Sequence, residues 1–275
     1  DQCDRDIHNL LEKYPPHLKF TAAEERRGKR GLRKIGIPEG EKWVCLIVRD
    51  NAYLPQLQYH KHRDSDVFNY VPMALALAQR GYYVVRMGAK VAGPFAVKHS
   101  KIIDYATDGQ RTDFMDMYLG AKCEFCVSNS TGFDAIPMVF RRPIVYVNQV
   151  PLEYLMTFNP RSLAIWKHHI KDGKRMHPRE IFEAYAGQFM RADEYESAGI
   201  TLEENTPQEI MSAVLEMADP PPWNFEDEQR QKQFWDEFPR SISPYNSTAL
   251  HGAIMMRIGR EFLRGYDNEN NHSQR

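Results

Sequence analysis

The sequence predicts an open, parallel, doubly wound α/β sheet, and three observations predict it. Short apolar runs alternate with stretches of helical periodicity from Trp43 to Asn148. The runs are nearly continuous in apolar residues, as strands covered on both faces must be. Helix starts and stops fall between them at the places a β-α-β chain requires.

The elements follow in order. Residues 43–49, WVCLIVR, read as the first strand. After a polar loop, Asp66 can cap a helix in which Val67, Val71, Leu75 and Ala78 share a face, and Gly81 supplies its stop. YYVVRMG reads as the second strand and KIIDYA (101–106) as the third. TDFMDMYLGA reads as a helix with Asp113 and Asp116 in its first turns, where the helix dipole favours negative charge. CEFCVSN is a fourth strand, STGFDAIPMVF a turn and helix, and PIVYVN (143–148) a fifth strand.

Beyond Pro151 the reading is helical, with no further strand. Thr206-Pro207-Gln208-Glu209 combines an N-cap, a proline at the first helical position and a capping-box carboxylate, and Ile210, Val214 and Leu215 follow. The PPPW run at 220–223 ends that helix, and a further one carries Phe234, Trp235 and Phe238 inward. Leu250, Ile254, Ile258 and Phe262 form the stripe of a last helix. Residues 1–40 read as a charged lead-in helix or linker, 41–265 as the ligand-binding domain with its helical C-terminal part, and 266–275 as a disordered tail.

Composition limits the partners. The 36 Lys and Arg nearly balance the 37 Asp and Glu, so no global field draws nucleic acid, and any anion must be held by a local site. No stretch approaches the ~18 apolar residues of a membrane span, and the start lacks signal-peptide regions, which reads as cytoplasmic. The chain begins at Asp1 rather than Met, which reads as a piece of a longer protein. Cys123 and Cys126 form an isolated CxxC within a strand reading, where residues three apart face opposite ways, so they read as structural cysteines.

Ligands of open parallel sheets bind beyond the carboxyl ends of the strands. The residues there are Arg49 and Asp50, Arg86, Asp104 and Tyr105, then Asn129, Ser130 and Thr131. The alternative is a polar edge that simply faces water. Ser130-Thr131-Gly132-Phe133-Asp134 offers small residues and helix-start amides suited to a phosphate, although Asp134 would compete for those amides. A capped helix without ligand is the alternative there. His60, Lys61, His62 and Arg63 form a local positive cluster suited to a pyrophosphate, or an exposed charged loop. Asp64-Ser65-Asp66 has the form of a DxD metal motif, but Asp66 serves better as an N-cap. His60 and His62 lack a third ligand nearby, so no metal is expected.

Together VRDNAYL, HKHRDSD, RGYYVVRMGAKV, IIDYA, MDMYLGAKCEFCVSNSTGFDAIPMVFRRPIVYVN and LHGAIMMRIGREFL resemble a bacterial family of glycosyltransferases linked to surface-polysaccharide synthesis. The likeness runs from about Gly31 to Arg264. More distantly, His60, Arg63 and Asp66 with the Ser-Thr turn look like the donor-binding half of GDP-fucose-dependent fucosyltransferases of the GT-B type, with one residue inserted in the HxRRxD form. The resemblance implies a Rossmann-like donor domain, with the acceptor-binding domain upstream. It implies Arg63 with Ser130 or Thr131 as pyrophosphate ligands, and Asp104 and Tyr105 near the base. Arg49, Arg86, Asn129, Gly132 and Asp134 complete the donor set, and His60, Asp50 and Arg63 are the catalytic candidates.

The implied reaction is metal-independent transfer of a sugar from a nucleoside diphosphate sugar to a glycan or lipid-linked glycan, compatible with peripheral association with membrane-bound acceptor machinery. The alternative is a non-catalytic nucleotide- or glycan-binding module that assists a partner enzyme.

Overall fold

The computed structural model describes residues 6–239 and 252–273. A short helix α1 (Leu10–Lys13) precedes α2 (Ala22–Lys34), which Thr21 and Glu24 start with a capping box. Then come β1 (Trp43–Ile47), α3 (Val71–Gln79), β2 (Tyr83–Met87), β3 (Ile102–Ile103), α4 (Asp113–Lys122), β4 (Phe125–Ser128), α5 (Ala135–Val139) and β5 (Ile144–Gln149). All five expected strands are present.

The chain continues through β6 (Leu163–Trp166), β7 (His168–Lys171), β8 (Lys174–Arg175), α6 (Pro178–Glu183), α7 (Ala192–Ser197), β9 (Ile200–Glu203), α8 (Pro207–Ala218), α9 (Phe225–Glu237), β10 (Arg257–Ile258) and α10 (Arg260–Ser273). The expectation that strands end at Pro151 is therefore corrected. β6 and β10 join the main sheet, and β7, β8 and β9 form a small antiparallel one.

The main sheet runs β10-β6-β5-β4-β1-β2-β3, with every pair parallel. Apart from β10, this is the 3-2-1-4-5-6 order of dinucleotide-binding sheets, and its topological switch point lies between β1 and β4. Since β1-α3-β2 and β4-α5-β5 run away from that point in opposite directions, right-handed crossovers put α3 and α5 on opposite faces. α8 packs on α3, while α4 packs on α2 and α5. Burial on both sides explains the unbroken apolar runs: Val44, Cys45, Leu46, Val84, Cys126, Val127, Ile144 and Val145 are all fully buried. Cys45 lies opposite Cys126 in register, and Cys45, Cys123 and Cys126 are free and buried.

Three readings shift. Asp66 accepts from the Phe68 amide at 2.9 Å, but it caps a 3-10 turn, Val67–Tyr70, that precedes α3. The extra turn changes the phase, so α3 buries Met73, Ala74, Leu77 and Ala78 while Leu75 faces solvent. Ile258 is strand rather than helix, because the Arg257 and Gly259 amides bond to Ser162 and Ala164 beside β6. Leu250 lies outside the described residues. The backbone of α10 is helical through Ser273, across the segment read as a tail, and Phe262, Leu263 and Tyr266 anchor its first turns. α8 begins as read, with Thr206 and Glu209 in a capping box, and Phe234 and Phe238 are buried.

Candidate functional site

A cleft of about 450 Å³ opens at the carboxyl ends of β1, β2 and β4, beside the switch point. Its floor is apolar, built from Ile47, Val48, Met87, Val91 and Phe133. Arg49, Asp50, Lys90, Asp116, Thr131 and Gly132 supply polar groups, and Tyr53 and Leu54, both exposed, stand in its walls. An apolar cavity with a few convergent polar groups is the usual form of a small-molecule site.

The wall around Gly132 depends on one residue. Asn129, 2% exposed, accepts the Arg49 amide at 2.8 Å and donates from Nδ2 to the Arg63 carbonyl at 3.1 Å and Ser65 Oγ at 3.2 Å. It ties the end of β1 and the loop after it to the end of β4. The side chain of Asn129, expected among the donor ligands, is thus engaged by the scaffold itself.

Ser130 has a left-handed backbone (φ 64°), unusual for a residue with a Cβ. Its amide donates to Ser128 Oγ at 3.1 Å, and its carbonyl accepts from Arg63 Nη2 at 2.6 Å. The Ser130 amide is therefore consumed. The Thr131 amide is consumed as well, by Asp134 Oδ2 at 2.9 Å, while Thr131 Oγ1 reaches Asp134 Oδ1 at 3.4 Å. Asp134 is a buried brace for the turn, and burial pushes its carboxyl up to about 6. Gly132 is exposed on the cleft wall, and a Cβ there would meet open space.

Arg63 forms no ion pair among the described residues, and its Nε has no hydrogen-bond partner. Burial, followed by the like charge of Arg49, lowers its pKa. A desolvated guanidinium without a carboxylate favours an incoming anion. It stands behind the Ser130 turn and outside the cleft lining. Arg49 reaches the cleft itself and is paired through Nε with Asp64 Oδ1 at 3.2 Å.

Three further residues expected in the donor set are engaged by the protein itself. Arg86 is 1% exposed, and its Nη1 donates to the Gly93 carbonyl and Asp104 Oδ1, both at 3.1 Å. Asp104 also accepts from the Phe95 amide and Thr107 Oγ1. The pair pins the loop after β2, with Arg86 Nη1 and both Asp104 oxygens engaged by the protein itself. Tyr105 is fully buried, and its hydroxyl accepts the Thr112 amide at 2.8 Å at the start of α4. Polar side chains at strand ends thus serve neighbouring loop backbone, a use that strand position alone does not reveal.

Of the catalytic candidates, Asp50 lines the cleft, but its two oxygens accept the Ala52 and Ala92 amides at 2.9 and 2.8 Å. His60 lies in the 3-10 turn Gln58–Arg63, against the Tyr59 ring and away from the cleft walls. Burial and the charges of Arg63 and Arg49 lower its pKa, which favours the neutral ring. Among residues not expected from sequence, Lys90 follows Gly88, whose φ of 155° and close approach to Val91 signal a tight exit from β2. Asp116 pairs with Arg111 at 2.6 Å and presents itself to the cleft from α4.

No helix of the described residues is long and apolar enough to cross a membrane. No family model matches the sequence, and no curated protein matches it. Among solved structures, the chain is similar to the glycosyl transferase family 9 protein from Veillonella parvula DSM 2008, at 9% identity and a TM-score of 0.45. The match covers 73% of this chain and 53% of the other, so this chain spans about half that protein's length.

Proposed function

We propose that the chain is the donor-binding half of a glycosyltransferase, holding a nucleoside diphosphate sugar for transfer to a glycan hydroxyl. The observation that carries the reading is the cleft at the switch point, with Arg49 and the open Gly132 turn in its wall and the unpaired Arg63 behind that turn. An apolar floor suits a nucleobase, and Arg49, Lys90 and the open Gly132 turn suit the diphosphate, since the carboxylates of Asp50 and Asp116 in the same lining are already engaged by amides and by Arg111. In the reaction the acceptor oxygen attacks the anomeric carbon and the bond from that carbon to the diphosphate oxygen breaks. The diphosphate leaves with the bonding electron pair, and the acceptor proton passes to a base.

In this reading Arg49 stabilises the developing negative charge directly and Arg63 acts from behind the Ser130 turn, without a metal ion. Asp50 is occupied by amides and His60 stands off the cleft, so the base is assigned to neither. That same observation favours a second reading, a binding module whose catalytic partner lies on another domain or chain. The test is a calorimetric screen against UDP-, GDP-, CMP- and dTDP-sugars. Binding of a nucleoside diphosphate sugar supports the reading, and silence across the panel removes it.

A further inference from the structure

A second cavity, of about 610 Å³, lies on the same sheet edge at the carboxyl end of β6. Its walls come from the loop after β1, from α7 and from β9. Lys167, the residue after β6, is 4% exposed and lines it. The Lys167 ammonium donates to the Asp64 carbonyl at 2.6 Å and makes no ion pair among the described residues. An ammonium has three donors, so two remain for a ligand.

The lining otherwise mixes signs. Lys61 and Lys167 face Asp64, Glu196 and Glu204, and the exposed Thr201 adds a hydroxyl, while burial pushes His62 down to about 4 and leaves it neutral. Glu204 accepts the Asp66 amide and Asn69 Nδ2, and Lys61 pairs with Glu196 at 3.0 Å. Nearly balanced charge does not select an anion. Interspersed donors and acceptors select a neutral polyhydroxylated ligand, whose hydroxyls both give and accept hydrogen bonds.

One ion pair separates the two cavities: Arg49 lines the cleft, Asp64 lines this second cavity, and they meet at 3.2 Å. We propose that the Lys167 cavity is a carbohydrate subsite beside the donor cleft, which meets the glycan acceptor from the donor side while the upstream domain that the resemblance implies holds the rest of it. The carbohydrate assignment rests on the lining, and the acceptor role rests on the transferase reading above.

The experiment is saturation-transfer NMR with glucose, galactose, N-acetylglucosamine and their β-linked disaccharides as probes, with and without UDP and GDP. The parent is expected to receive transfer from at least one sugar, and to keep it when nucleotide is present. Lys167→Met and Thr201→Trp, the second filling the cavity from an exposed strand position, should each weaken that sugar at least tenfold. Transfer from no sugar, equal binding in both variants, or displacement by UDP or GDP would overturn the proposal. Sugar binding in a parent that binds no nucleoside diphosphate sugar would overturn the acceptor role and the transferase reading, while leaving the carbohydrate site itself standing.

Discussion

Arg49 and Asp64 form an ion pair that is at once the wall of the switch-point cleft and the wall of the neighbouring polar cavity. A diphosphate in the cleft would compete with Asp64 for the Arg49 guanidinium. Arg49→Gln is therefore expected to weaken nucleoside diphosphate binding by roughly 1.5 to 3 kcal/mol, the range for a hydrogen bond to a charged group. Its effect on folding stability should stay near 1 kcal/mol or below, since the pair is partly solvated. Titration calorimetry and thermal unfolding of one sample read both. Unchanged affinity would make Arg49 a scaffold residue.

Asn129 makes the opposite prediction. It joins the Arg49 amide, the Arg63 carbonyl and Ser65 within a buried junction, so Asn129→Ala should lower stability by about 2 to 4 kcal/mol through unsatisfied buried partners. Urea unfolding measures this. A loss of ligand affinity with no loss of stability would restore Asn129 as a ligand.

Glu153 sets a pH dependence. It is fully buried, Gln188 Nε2 donates to Oε2 at 2.8 Å, and Oε1 has no hydrogen-bond partner among the described residues. Burial pushes its carboxyl up to about 7 from 4.5. The folded protein then holds a proton that the unfolded chain releases between those values. Stability falls as pH rises from about 4.5 to 7 and levels off above, by roughly 3 kcal/mol for this group. Glu153→Gln should gain stability over the parent progressively across that window. A difference constant from pH 4 to 8 would contradict it.

Much of the sheet was legible because strands buried on both faces must be apolar throughout, and WVCLIVR and PIVYVN have no other use. The missed strands carry weaker signals. β7 reads HHIK, two residues of β10 suffice to pair with β6, and LAIW is short enough to pass for helix. At the site, the sequence placed Arg49, Asp50, Thr131 and Gly132 at the cleft. Nothing in the local pattern showed that Arg86 and Asp104 would turn on each other, or that Asp134 rather than a ligand would take the Thr131 amide. Lys167 escaped notice because the strand that delivers it did.

Metal independence is a separate expectation. If Arg49 and the Gly132 turn serve the diphosphate, with Arg63 behind them, EDTA should leave nucleotide-sugar affinity unchanged. A strict requirement for magnesium or manganese, measured by the same calorimetry, would bring Asp64 and Asp66 back as ligands.

The most direct test of the central claim compares nucleoside diphosphate sugar binding in the parent and in Gly132→Phe. Gly132 has no left-handed backbone, and its Cβ direction is open, so a phenyl ring there should fill part of the cleft without straining the fold. We expect the parent to bind at least one UDP-, GDP- or dTDP-sugar, and the variant to unfold at the parent's temperature while losing at least tenfold in affinity. A folded Gly132→Phe that binds the same nucleotide sugar as tightly as the parent would contradict a donor site in this cleft.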